Sequence, residues 1–124
     1  MSSEIRVLYV EDDPDIREVV EFCLEDEGYD LTICENGFDA IGKAGSVEVD
    51  LVLLDVMMPG IDGPTAMVKL RAMPHMKDVP VIFMTAKVQA SEVKEYKKLG
   101  AIDVIMKPFD TMALPGMIRD ILGR

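Results

Sequence analysis

The sequence predicts an α/β fold, a five-stranded parallel sheet covered on both faces by helices. Three observations carry this. Short continuous apolar runs alternate with segments of helical apolar spacing along the whole 124 residues. The run Leu51–Leu54 is aliphatic throughout, as in strands buried on both faces. Acidic, hydroxyl or basic residues follow the runs directly, at the carboxyl ends where such sheets carry their working sites.

Each element has its own justification. Ile5–Val10 is a compact apolar run and reads as the first strand. Asp13-Pro14 supplies an N-cap followed by proline at the first helical position. Ile16, Val19, Val20, Cys23 and Leu24 then form one helical face, and Gly28 closes the helix. Leu31–Cys34 is the second strand, and Ala40, Ile41 and Ala44 mark a short helix after Gly37. The third strand, Leu51–Leu54, ends at Asp55. Pro64 opens a helix with Ala66, Met67, Leu70 and Met73 on its apolar face. Val79–Met84 is the fourth strand, ending at Thr85. Val93, Tyr96 and Leu99 give the next helix a thin apolar stripe, closed by Gly100. Ile102–Met106 is the fifth strand, ending at Lys107-Pro108. Leu114, Met117, Ile118, Ile121 and Leu122 define the last helix, with Pro115 confined to its first turn.

Composition narrows the function. Length suits a single domain over residues 1–124, with no linker or repeat. With 13 basic against 23 acidic residues the net charge is −10, which argues against direct nucleic-acid binding and favours a cation or a basic protein patch. No run reaches the roughly 18 apolar residues of a membrane span, and the polar Met1–Arg6 is no secretory signal. Cys23 and Cys34 lie in apolar segments and read as buried hydrophobes of a reducing cytoplasm. The single histidine, His75, sits in a proline-containing loop; one histidine excludes a His-rich zinc site and, read as a surface residue, a Ser-His-Asp triad. Ten methionines read as flexible core filler, with Met112 and Met117 of the last helix as candidates for an adaptable partner surface.

The strand ends bring Glu11, Asp12 and Asp13, Asp55, Thr85 and Lys107 to one rim. If the first and third strands are neighbours, the acids crowd together. Two carboxylates about 4 Å apart repel by about 4 kcal/mol at an effective dielectric of about 20. Lys107 offsets one charge; a hard divalent cation such as Mg²⁺ offsets two more and prefers this all-oxygen donor set. An acid beside Mg²⁺ and a lysine suits phosphoryl transfer, in which a carboxylate attacks phosphorus and becomes an acyl phosphate. Asp55 is the candidate nucleophile because it ends the most apolar strand. The following turn, Met57-Met58-Pro59-Gly60, places backbone groups around the same spot.

The segments Val10-Glu11-Asp12-Asp13, Asp55 through Gly63, Met84-Thr85-Ala86 and Lys107-Pro108-Phe109 resemble, in order and at the right strand ends, those of two-component response-regulator receiver domains of the chemotaxis type. The resemblance spans almost the whole chain. It implies a flavodoxin-like receiver fold of strand order 2-1-3-4-5. It implies that Asp55 accepts a phosphoryl group from a histidine kinase or histidine phosphotransfer protein. Asp12, Asp55 and the carbonyl of Met57 would ligate Mg²⁺, with Glu11 near or through water. Thr85 and Lys107, with the amides of Met57 and Ala86, would bind the phosphoryl oxygens. The domain would then switch the surface of its fourth helix, fifth strand and fifth helix toward a downstream protein target. It would assist its own phosphorylation without being a conventional turnover enzyme, as a cytoplasmic monomer or weak dimer, stand-alone because no effector segment follows the last helix. Asp13 reads as the N-cap.

One residue departs from the family pattern. The family usually has an aromatic residue three positions before the lysine, where this chain has Val104. Tyr96 on the fourth helix is a candidate substitute that reads more simply as a packed surface tyrosine, and Lys87 is a further variable residue by the site. Other readings stand beside the first: a pseudo-receiver scaffold that is not phosphorylated; a Mg²⁺-dependent phosphatase with an aspartyl nucleophile, whose second acid two residues on is here Met57; and a flavodoxin-like cofactor binder, whose phosphate loop conflicts with Glu11-Asp12-Asp13.

Overall fold

A computed structural model describes residues 4–86 and 89–123. Five strands, β1 (Arg6–Val10), β2 (Asp30–Cys34), β3 (Leu51–Asp55), β4 (Val81–Thr85) and β5 (Asp103–Met106), alternate with α1 (Pro14–Asp26), α2 (Gly37–Ala44), α3 (Gly63–Arg71), α4 (Ala90–Leu99) and α5 (Leu114–Leu122). The sheet order is β2-β1-β3-β4-β5, every pairing parallel. This is the predicted doubly wound sheet, with β3 at its centre and all five β3 residues buried.

Strand alternation splits the core in two. Leu8, Val10, Leu54 and Phe83 face Ala40, Ala66, Met67 and Leu70 of α2 and α3. Val7, Tyr9, Leu53, Ile82 and Met84 face Val20, Leu24, Leu114 and Ile118 of α1 and α5. Register holds the strand ends level: Val10 pairs with Leu54, Asp55 with Met84 and Thr85 with Met106. The ladder runs one residue further at three places, through Glu11 N–H to Cys34 C=O (3.1 Å), Val56 to Met84 (3.0 Å) and Lys107 to Thr85 (2.8 Å). Glu11, Asp55, Thr85 and Lys107 therefore lie along one edge of the sheet.

The helix boundaries follow local chemistry. Asp13 caps α1 through the amides of Asp15 and Ile16, and Asp62 caps α3 through Thr65. Some details differ from the sequence expectation. Val19 is 47% exposed, because the packed face of α1 is centred on Val20, Cys23 and Leu24. The fourth strand begins at Val81 rather than Val79, after Pro80, which has no N–H for the ladder. Met73 lies beyond the end of α3 but still packs on the core. His75 lies in a 3₁₀ turn, Pro74–Met76, with its exposed ring 2.7 Å from the Ala44 carbonyl. Met112 precedes α5 rather than lying on it and is 80% exposed, whereas Met117 packs against the core. Cys23 and Cys34 are buried and free. Among the described residues no helix is long and apolar enough to cross a membrane.

Candidate functional site

The rim formed by the ends of β1, β3, β4 and β5 gathers the acids. One carboxylate oxygen from each of Glu11, Asp12 and Asp55 lies within 4.8 Å of the others. Glu11 is fully buried, Asp55 nearly so and Asp12 exposed, so the cluster opens to solvent on the Asp12 side. Lys107 reaches in from the end of β5, its Nζ 2.7 Å from Glu11 Oε1 and 3.4 Å from Asp55 Oδ2. Thr85 is buried at the end of β4. The Met57 amide donates to Asp55 Oδ1 at 3.4 Å, while the Met57 side chain is exposed. Ala86 is exposed beside the rim. Lys87 lies outside the described residues.

Charge balance at this rim is unusual. Burial, reinforced by the negative charge of Glu11, pushes the Asp55 carboxyl up to about 7; Lys107 acts in the opposite direction. Burial by itself pulls the Lys107 ammonium down, but its hydrogen bond to Glu11 and the charges of Asp55 and Glu11 outweigh that, and its pKa is raised. Lys107 is therefore a fixed cation. One ammonium among three carboxylates leaves a net negative pocket.

Mg²⁺ passes the test of fit here. The donors gathered there are hard carboxylate oxygens. No histidine or cysteine belongs to the cluster, and the uncompensated charge calls for a cation. The three carboxylates already share one small space, which side-chain rotation could narrow around an ion.

Comparison with known proteins agrees with the geometry. The model of the response regulator receiver domain matches residues 7–119. The chain belongs to that family. Receiver domains are phosphoacceptor modules of two-component systems and serve signalling rather than conventional turnover. The chain is 37% identical over 119 residues to the transcriptional regulatory protein PcoR of Escherichia coli, covering 96% of this chain and 52% of that protein. To the transcriptional regulatory protein CseB of Streptomyces coelicolor it is 36% identical over 124 residues, covering 100% and 52%. It spans about half the length of these curated relatives.

Among solved structures, the receiver fold superposes on the chemotaxis response regulator CheY4 of Vibrio cholerae with a TM-score of 0.89 at 28% identity, covering 96% of this chain and 99% of that one. A receiver domain of a sensor histidine kinase from Pseudomonas aeruginosa, with a magnesium ion coordinated in its active-site cleft, gives 0.85 at 29% identity, covering 98% and 100%.

One feature of this receiver was not read from the sequence. An open groove of about 580 Å³ runs beside the acid cluster, between α1 and the loop after β5, lined by Ile16, Val19, Lys107, Pro108 and Phe109. Its apolar residues, Ala86 included, are spread over three distant segments, so no single stretch of sequence signals it. At the expected aromatic position, Val104 packs half-buried on the α2–α3 side, and the aromatic contact there is Tyr96, whose ring meets Phe83 edge-on at 5.2 Å.

Proposed function

We propose that Asp55 accepts a phosphoryl group from a phosphohistidine on a histidine kinase or phosphotransfer protein, and that residues 1–124 act as one receiver unit. The observation that carries this reading is the convergence of Glu11, Asp12 and Asp55 within 4.8 Å, with Lys107 3.4 Å from Asp55. Asp12, Asp55 and the Met57 carbonyl would hold Mg²⁺, with Glu11 behind them. When bound, the ion supplies positive charge that offsets the carboxylates and the incoming phosphoryl oxygens.

The chain's own residues do the rest. An Asp55 oxygen attacks phosphorus, the new O–P bond forms as the P–N bond to the donor imidazole breaks, and Asp55 becomes an acyl phosphate. Lys107 turns from Glu11 toward the equatorial oxygens, and the Thr85 hydroxyl donates to one of them. The amides of Met57 and Ala86 complete the cradle. The groove beside Lys107 gives the donor protein an apolar seat next to the acceptor.

Drawing Thr85 and Lys107 toward one point tightens the loops after β4 and β5, and so biases α4, β5 and α5 toward the arrangement a downstream protein recognises. α4 buries no residue, which suits an element that must shift. With Val104 in place of an aromatic residue, the ring available to register the shift is that of Tyr96. The acidic surface fits a protein contact rather than a nucleic acid one, and the reading places the domain in the cytoplasm.

The test is incubation with acetyl phosphate and Mg²⁺, followed by intact mass of wild type and Asp55→Asn. The reading expects one added phosphoryl group in wild type, none in the variant and none with EDTA. Label persisting in Asp55→Asn refutes the acceptor, and label surviving chelation refutes the role of the metal.

A further inference from the structure

The C-terminal end of α4 is held by a side chain from another crossover. Arg71, the last residue of α3, donates from one terminal nitrogen to the Gly100 carbonyl at 2.9 Å and to the Val79 carbonyl at 3.5 Å. Gly100 is the left-handed C-cap of α4, at φ +119°. The positive φ favours glycine at this position, and a Cβ there would displace the Arg71 guanidinium from where it now sits. The guanidinium meets no carboxylate within ion-pair distance among the described residues, and its Nε is buried without a partner. Its positive charge is therefore directed at the carbonyl-rich end of α4, where a cation is favoured by the helix dipole.

Among the described residues the other end of the helix has no such attachment. Gln89, its N-cap residue, makes no side-chain capping bond, and α4 buries none of its residues. Between the two ends Tyr96 packs edge-on against Phe83, and Lys97 lies 3.9 Å from Asp103 of β5.

We propose that Arg71 is the pin of α4: the helix loosens and swings from its N-terminal end while Arg71 keeps the Gly100 end fixed to the α3–β4 crossover. The link to phosphorylation rests on the function proposed above; the pin itself does not.

Residue-resolved hydrogen exchange on the full chain tests it. The amides of Gly100 and Ala101, bonded to the Lys97 and Tyr96 carbonyls, report the pinned end; those of Glu92 and Val93, bonded to the Gln89 carbonyl, report the free end. Wild type should protect the first pair more than the second. Arg71→Gln should lower protection of Gly100 and Ala101 by about tenfold, the scale of a lost charged hydrogen bond, with Glu92, Val93 and the β4 amides within about twofold of wild type. Unchanged protection at Gly100 and Ala101, or an equal loss along all of α4 and β4, overturns the pin. With acetyl phosphate and Mg²⁺, wild type should change exchange at Glu92 and Val93 and not at Gly100 and Ala101; the reverse pattern also overturns it. Failure to take up a phosphoryl group instead counts against Asp55 as acceptor, and the unmodified chain still decides the role of Arg71.

Discussion

As the proposed acceptor, Asp55 carries two opposed demands: it must be buried to be held in place, and ionised to attack. Its carboxyl, displaced from 3.8 to about 7 by burial and by Glu11, keeps a proton in the folded chain that the unfolded chain has already lost. The folded state thus binds the extra proton between these values. Without divalent cations, folding stability should fall as pH rises from about 4 to about 7. Urea denaturation in EDTA across this range should show the decline in wild type and a flatter profile in Asp55→Asn. At pH 8 the same variant should melt about 3–5 °C higher, corresponding to about 1 kcal/mol of relieved repulsion. Cys34 makes a simpler case. Burial pushes its thiol up to about 12, so in a Cys23→Ser background it should resist a disulfide reagent at pH 8 until the chain unfolds. Reaction on mixing would show that the second strand opens locally. The identity of the acids was legible in the sequence because each stands at the end of an apolar run. Crowded acids were expected to need a proton or a cation, but which carboxyl keeps the proton was not legible, since that depends first on the burial of Asp55 and then on how closely Glu11 approaches from another strand.

At the scale of elements, the caps and the turn after β3 position the site. Asp62 holds its carboxylate below the usual range through hydrogen bonds from the Thr65 side chain and amide. Asp62→Ala should cost about 1 kcal/mol in denaturant unfolding, and Asp13→Ala a similar amount. Gly63→Ala should cost more, because a Cβ there would stand 2.6 Å from the Asp55 carbonyl and 2.8 Å from Val56 Cα, both backbone. That variant should also slow phosphoryl uptake, since the turn it displaces carries the acceptor; unchanged uptake would show that the turn is slack. Caps such as Asp13-Pro14 and the thin stripe of α4 could be read directly, since both depend on neighbours in sequence. Which way Val19 faces, where Met112 lies and what Arg71 reaches could not. Each is decided by the angle at which a helix or loop meets the sheet, and a periodic pattern does not encode that angle.

For the whole molecule, the sequence predicted the layers and, through the family resemblance, the strand order. The apolar runs require burial on both faces, and parallel crossovers leave few ways to arrange them. The groove beside Lys107 lay beyond that reading because α1 and the loop after β5 meet only in the folded chain. Ligand linkage acts at this scale. Mg²⁺ at about 100 times its dissociation constant should stabilise the fold by about 2.7 kcal/mol, read as a rise in melting temperature that Asp12→Asn diminishes. An equal rise in both proteins would place the ion elsewhere. Finally, β3 lies between β1 and β4 with no side chain open to solvent, and it joins the two halves of the core. Fraying at the sheet margins leaves the middle of the ladder intact, so the proposed acceptor Asp55 is dismantled only when the domain melts as a unit. Signalling capacity under heat stress should consequently decline in proportion to the surviving native population, rather than by gradual blunting of each molecule.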